Sequence, residues 1–306
     1  VMVSGFPGTT DRLRTAGEVR FNFEHYEPLL QHLDSDYAAQ IKRATAGNGD
    51  AQIRYATILQ GVENYEKKLA GDIAGADAIG LDARKADEEK AYRDWIADDA
   101  ARQARYGAAI RELDAMVAET SRALVVGLRQ DLLHRAQILS SARTLYRWAK
   151  EHEKPDEDRE IGFQDRDRNQ IVDRLTQMER RYLPDVDRKL LAAALEEYRQ
   201  LDAKDRDKAF ETALDQIGLD RLYADTKLAD TATRLGWLDK PAAAFEASDD
   251  PFIKLAVALY PGDIVVEDAK KDRAGRTQAA RATYMQGLRA YRQAIDRPLY
   301  PDANGS

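Results

Sequence analysis

Apolar side chains recur every three or four positions over most of the chain, the spacing of amphipathic helices, and almost nowhere alternate as they do in strands. From Glu18 to about Ala46 the recurring positions are Phe23, Tyr26, Leu29, Leu30 and Leu33. Gly47-Asn48-Gly49 closes this helix, and Asp50 is placed to cap the next one. The second helix carries Ala51, Tyr55, Ile58, Val62, Tyr65 and Leu69, steps of four and three that make a seam of the kind long antiparallel helices share. Gly71, Gly75 and Gly80 predict a loosened segment, followed by a charged helix with Tyr92, Trp95 and Ile96 on one side. A very long helical stretch is predicted from about Asp98 to Lys150, with one or two breaks near Gly127 or His134.

Pro155 stops that stretch. The polar run 156–165 has no helical period and reads as an ordered loop. Helices resume at about Arg166–Arg180 and, after Pro184-Asp185, at Val186–Leu201, where Leu191 and Leu195 lie one turn apart. Shorter helices separated at Gly218, Gly236 and Pro241 lead to Asp249-Asp250-Pro251, a capped start with proline at the first helical position. A final helix is expected over about Ala274–Ile295. No repeat of fixed period is present, which argues against a regular solenoid.

The two ends differ from the middle. Val1–Gly8 reads as a short strand running into a tight turn at Gly5-Phe6-Pro7-Gly8, and the residues from Arg297 to Ser306 are turn-like. The predicted class is therefore all-α, an irregular bundle of long antiparallel helices over 18–296. Segments 1–17 and 297–306 would lead out of and back into another, β-rich body.

Composition changes this picture little. The 306 residues suffice for one large helical domain or two smaller ones, with 43% apolar and 33% charged side chains. The mean hydropathy is −0.62, and stretches such as Ala123–Leu128 are far too short to span a bilayer. The net charge of −7, with both signs interleaved, provides no basic face for nucleic acid. The absence of cysteine excludes disulfides, thiolate metal sites and thiol nucleophiles.

Candidate chemistry is sparse. No serine sits in a Gly-x-Ser-x-Gly elbow or a Gly-Asn-Ser-Gly setting, and Ser140-Ser141 lies within a helical period. Of the four histidines, His25 and His32 are seven apart on one helix, without a carboxylate at a recognised ligand spacing. His152, at a charged helix end, is explained by the helix dipole. The Glu-x-x-His pairs of a di-metal bundle and the glycine-rich phosphate loops are both missing. No catalytic residue, metal site or cofactor is assigned. Trp95, Trp148 and Trp237 could line a cleft, but core packing explains each of them better.

Three blocks carry more information. They are GFPGTTDRLRTAGEV at the start, KPDEDREIGFQDRDRNQIVDRLTQMERRYLP in the middle and YMQGLRAYRQAIDRPLYPDAN at the end. Together they resemble the bacterial dipeptidyl-peptidase 7 and 11 type of serine exopeptidase, over essentially the whole chain. In that family a chymotrypsin-like double β-barrel carries the His-Asp-Ser triad and a large helical domain is inserted in it.

The resemblance implies that Gly5–Gly8 leaves the barrel and Tyr300–Asn304 returns to it. It implies a lid-like helical domain of a periplasmic or cell-surface enzyme that removes dipeptides from the free N-terminus of oligopeptides. Its partners would be that oligopeptide substrate and the β-barrel domain of the same polypeptide; a homodimer of the parent protein stays open. Because the histidine- and serine-bearing motifs are missing, the chain alone is expected to be inert. The alternative is a non-catalytic helical scaffold or adaptor that binds protein partners.

One residue carries over. Asn64-Tyr65-Glu66-Lys67-Lys68 resembles the family's Asn-Tyr-x-Lys block, whose asparagine helps hold the substrate α-amino group. Helical spacing puts Asn64 off the apolar seam, with Gly61, Lys68 and Gly71 on its face. Glycines there would let another backbone approach closely. An amide oxygen accepts from an ammonium without adding net charge. The plainer reading of Asn64 is an ordinary polar residue on a helix surface.

Overall fold

The three-to-four spacing is realised as helix almost throughout residues 13–297, the part of the chain that the computed structural model describes. α1 (Ala16–Phe21) passes through a π-helical turn at Asn22–Tyr26 into α2 (Glu27–Thr45), and α3 (Gly49–Ala78), α4 (Leu81–Ala97) and α5 (Ala100–Leu132) follow. A 3-10 turn at Leu133–Arg135 leads to α6 (Gln137–Glu151), then α7 (Arg168–Arg181) and α8 (Pro184–Arg199). Four short helices come next: α9 (Lys208–Ile217), α10 (Leu219–Asp225), α11 (Thr231–Gly236) and α12 (Ala242–Glu246). α13 (Pro251–Ala294) is the last, and no strand occurs among the described residues. The chain is all-α, as its pattern predicts. The expected strand and turn at Val1–Gly8 and the return segment Tyr300–Asn304 lie outside the described residues.

The chain divides into two compact units. Unit one comprises the residues up to His32, Glu66–Leu124 and those from Asp268 onward; unit two comprises Leu33–Tyr65 and Val125–Glu267.

The core of unit one is aromatic. Tyr92, Ile96, Tyr106, Ile110, Leu113, Ala280 and Tyr284 are buried together, with Trp95, Met285, Leu288 and Tyr291 packed against them. Tyr92 meets Tyr284 edge-on at 5.5 Å, a favourable ring geometry. Gly287 permits this close packing: a Cβ there would collide with the Tyr92 hydroxyl and come within 2.9 Å of the Tyr106 ring. The start of α1 is held by a reciprocal cap. The Thr15 N–H donates to the Glu18 carboxylate (2.7 Å), and the Glu18 N–H donates to the Thr15 hydroxyl (3.2 Å). Arg281 locks this cap by donating to the Leu13 carbonyl at 2.9 Å and to Glu18.

In unit two, α6 buries Ile138, Leu139, Ala142, Leu145, Tyr146, Trp148 and Ala149 along one face. A second cluster joins Tyr37, Ile41, Ala44, Ala51, Tyr55, Val186 and Leu190, with Ile58, Leu59, Val62 and Leu183 against it. The loop after α6 is ordered, as expected, and a buried carboxylate orders it. Glu151 accepts from Lys154 Nζ and from the Glu160 N–H, each at 2.9 Å, with the Arg147 guanidinium at 2.8 Å. Burial opposes its charge, yet the bonds from Lys154 and Glu160 hold its carboxyl below the ordinary range. Further along, Arg159 joins Asp156 (2.9 Å) to Asp165 (2.7 Å).

Several helix boundaries depart from the local expectation, each for a tertiary reason. Gly71 and Gly75 do not interrupt α3, because Leu69 and Ala76 are buried on either side of them. The break comes at Gly80, whose φ of 59° only glycine adopts freely. The cap of α3 is the Asn48 side chain, which accepts from the Ala51 N–H at 3.1 Å, and not Asp50. Tyr65 lies off the buried seam at 43% exposure, since steps of 3.5 drift around a helix of 3.6 residues per turn. The long stretch bends at Leu133–Arg135, close to the expected His134, and runs uninterrupted through Gly127.

The expected separate final helix merges with the one starting at Pro251. α13 is continuous and includes Pro261. Ahead of that proline, Phe252, Ile253, Leu255, Ala256 and Leu259 are buried; beyond it, Arg143 grips Asp263 (2.6 Å) and Arg147 grips Glu267 (3.1 Å). These contacts outweigh the roughly 3 kcal/mol that a proline costs inside a helix.

Candidate functional site

Asn64 is positioned by α3. Tyr55, nine residues earlier, is 1% exposed in the core of unit two; at 100° per residue that places Asn64 on the opposite side of the helix. Asn64 is exposed, and its amide has no hydrogen-bond partner among the described residues. The neighbouring Glu63 pairs with Lys42 at 2.7 Å, which fastens this part of α3 to α2 and leaves the Asn64 side chain outward. Gly61, Lys68 and Gly71, expected on the same face, are all exposed as well. A Cβ added at Gly61, Gly71 or Gly75 would meet nothing within 4 Å. Each glycine costs a helix about 0.5–1 kcal/mol relative to alanine. None of the three is required by packing among the described residues.

The remaining candidates are structural. Ser141 donates its hydroxyl to the Gln137 carbonyl at 2.9 Å. His152 stacks against Trp148, with ring centroids 3.9 Å apart, at the end of α6. His25 and His32 are both exposed, and no group of three metal-ligating side chains converges among the described residues. Trp148 is 2% exposed and donates its ring N–H to the Leu238 carbonyl at 3.2 Å. Trp95 packs on the core of unit one under Arg102, and Trp237 packs against Phe245.

Besides Glu151, two charges in unit two are completely buried without a mark in the sequence. Asp187, 0% exposed, accepts from the Gln137 N–H at 2.7 Å and from the Tyr223 hydroxyl at 2.8 Å. Burial pushes its carboxyl up to about 6, against the pull of those bonds. Arg234, also 0% exposed, donates to the carbonyls of Leu175 (2.8 Å), Leu228 (2.6 Å) and Ala229 (3.1 Å). Burial lowers its pKa, with Asp230 opposing. No local signal marks either residue. Asp187 sits in the first turn of α8, where a carboxylate is ordinarily read as serving its own helix.

The Peptidase S46 family model matches residues 1–306, the whole chain. The chain belongs to the Peptidase S46 family. An Asp/Glu-specific dipeptidyl-peptidase of Shewanella putrefaciens is 35% identical over 317 aligned residues, which take in 100% of this chain and 42% of that protein. Dipeptidyl-peptidase 7 of Porphyromonas gingivalis is 24% identical, over 99% of this chain and 42% of its own length. Among solved structures, DPP11 of Porphyromonas endodontalis superposes with a TM-score of 0.64 at 18% identity, covering 99% of this chain and 43% of that one. DPP11 in complex with the dipeptide Arg-Glu gives a TM-score of 0.63 at 16% identity. This S46 chain therefore shares the fold of a part of DPP11 and spans about two fifths of its relatives' length.

Proposed function

We propose that the chain is the helical part of a dipeptidyl-peptidase that removes dipeptides from the free N-terminus of oligopeptides. The observation that carries this reading is the family match from residue 1 to residue 306, with 35% identity to a dipeptidyl-peptidase along the full chain. In this reading the serine, its base and the oxyanion-stabilising groups belong to a chymotrypsin-like β-barrel domain of the same polypeptide, in the periplasm or at the cell surface. The helices act as a lid over the barrel's cleft. Closing a lid excludes water and leaves no room for blocked or misplaced chains.

Asn64 receives the substrate's α-amino group. Burying an ammonium is costly unless hydrogen bonds replace its water, and an amide oxygen replaces one of them without adding charge. Holding that ammonium at a fixed distance from the nucleophile sets cleavage after the second residue. The exposed, unpartnered amide of Asn64, beside the open Cβ position of Gly61, supports the assignment. In the full polypeptide, Asn64→Ala should raise KM and lower kcat/KM by about tenfold or more, about 1.4 kcal/mol of transition-state stabilisation. N-acetylated peptides should lose nothing further in the variant. Unchanged kinetics on free peptides would remove Asn64 from the site.

A further inference from the structure

The bend between α5 and α6 leaves helical N–H groups without a local partner. Beyond the 3-10 turn, Ala136 is extended (φ −75°, ψ 115°) and has no side chain with which to cap Gln137 and Ile138. Ala136 and Ile138 are 0% exposed, so water does not supply the missing acceptors. The acceptor comes from another helix. Asp187 Oδ1 accepts from the Gln137 N–H at 2.7 Å, and Oδ2 lies 3.5 Å from the Ile138 nitrogen. The same carboxylate accepts from the Tyr223 hydroxyl at 2.8 Å, which ties in α10. The Gln137 side chain donates to the Tyr55 hydroxyl and to the Arg181 carbonyl, both at 3.1 Å. One carboxylate, with no lysine or arginine bonded to it among the described residues, thus gathers α6, α8 and α10.

We propose that Asp187 is a helix cap supplied in trans, and that its protonation state tunes the stability of the α5–α6 elbow. The titratable groups that face it are phenols: Tyr223 on α10, Tyr55 on α3, Tyr37 on α2 and Tyr182 just ahead of α8. Cations act on two of those rings, Arg135 stacking on Tyr37 at 4.3 Å and Arg234 acting on Tyr182. Burial without a counter-charge disfavours the ionised form, so the carboxyl titrates at about 6 in the fold against 3.8 for an ordinary aspartate. The folded state then binds this proton more tightly than the opened one. Its contribution to stability is complete below 3.8 and is lost as pH rises through about 6. Acidification should strengthen the elbow, opposite to the usual effect of acid on a salt-bridged carboxylate.

Hydrogen exchange at the Gln137 and Ile138 amides of the full polypeptide tests this. After correction for intrinsic rates, protection should fall on the order of 100-fold between about pH 4 and about pH 7, and Asp187→Asn should flatten that profile. A variant whose profile follows the wild type would overturn the proposal. Should the variant not fold, the titration of the Asp187 side-chain carbon in the wild type decides. A midpoint near 6 supports the proposal and a midpoint near 3.8 rejects it.

Discussion

Unit one buries two glutamates, Glu27 and Glu89, to 7% exposure and keeps its arginines at the rim, whereas unit two encloses an arginine and two carboxylates completely. In unit one, Arg276 reaches Glu112 (2.9 Å), Glu119 (3.1 Å) and Asp272 (3.5 Å) with its side chain 39% exposed, over a core built of tyrosine, isoleucine and leucine. In unit two, Arg234, Asp187 and Glu151 are all 0% exposed. The difference follows from the number of helix ends. Unit one consists chiefly of stretches of long helix, whose backbone groups pair internally, and its half-enclosed start of α1 is served by Glu89, which accepts from the Ala16 N–H. Unit two contains α6 through α12 entire, and every end leaves N–H or C=O groups that need partners. Where such ends are buried, a side chain from elsewhere must serve them. Asp187 serves the start of α6, and Arg234 collects three carbonyls around α7 and α11.

The comparison is broken most directly at Arg234. Arg234→Met keeps much of the volume and strands those carbonyls in the interior. It should cost about 3 kcal/mol or more, read from the urea midpoint, whereas Arg276→Met in unit one should shift the midpoint far less. Equal losses would refute the contrast. High salt should weaken the Arg276 cluster and leave the Arg234 bonds in place.

A smaller effect probes the packing of unit one. Gly287→Ala drives a methyl group into Tyr92 and Tyr106 and should destabilise by about 1–3 kcal/mol. Gly61→Ala has the reverse sign. With nothing within 4 Å of the added Cβ, it should stabilise the chain by about 0.5–1 kcal/mol through helix propensity. In the full polypeptide the same substitution should lower kcat/KM if the Asn64 face receives a peptide backbone. A gain in stability with unimpaired kinetics would detach Gly61 from the site.

Asn64 illustrates how far the sequence reached. Its place opposite the buried stripe of α3 was legible, because helical periodicity sorts residues into faces without reference to anything distant. Tyr65, one residue along, was misplaced, because the precise rotation of a seam depends on the partners it packs against. The cap at Thr15–Glu18 carries a recognisable spacing, but the recurring apolar positions singled out in the sequence start only at Phe23, although Val19 is already buried in α1.

By itself the sequence determined the helical class and most of its punctuation. Gly47, Gly80 and Gly218 end or separate helices where φ is positive, and Asp250-Pro251 starts one. These are local properties, settled by the conformations that single residues can adopt. Only the tertiary structure decided that α3 continues through Gly71 and Gly75, that α13 continues through Pro261, and that the elbow before α6 is capped by a residue fifty positions away. Propensity costs of about 1–3 kcal/mol are outweighed when burial and distant hydrogen bonds act together on one segment, and those forces arise from residues the local sequence does not contain.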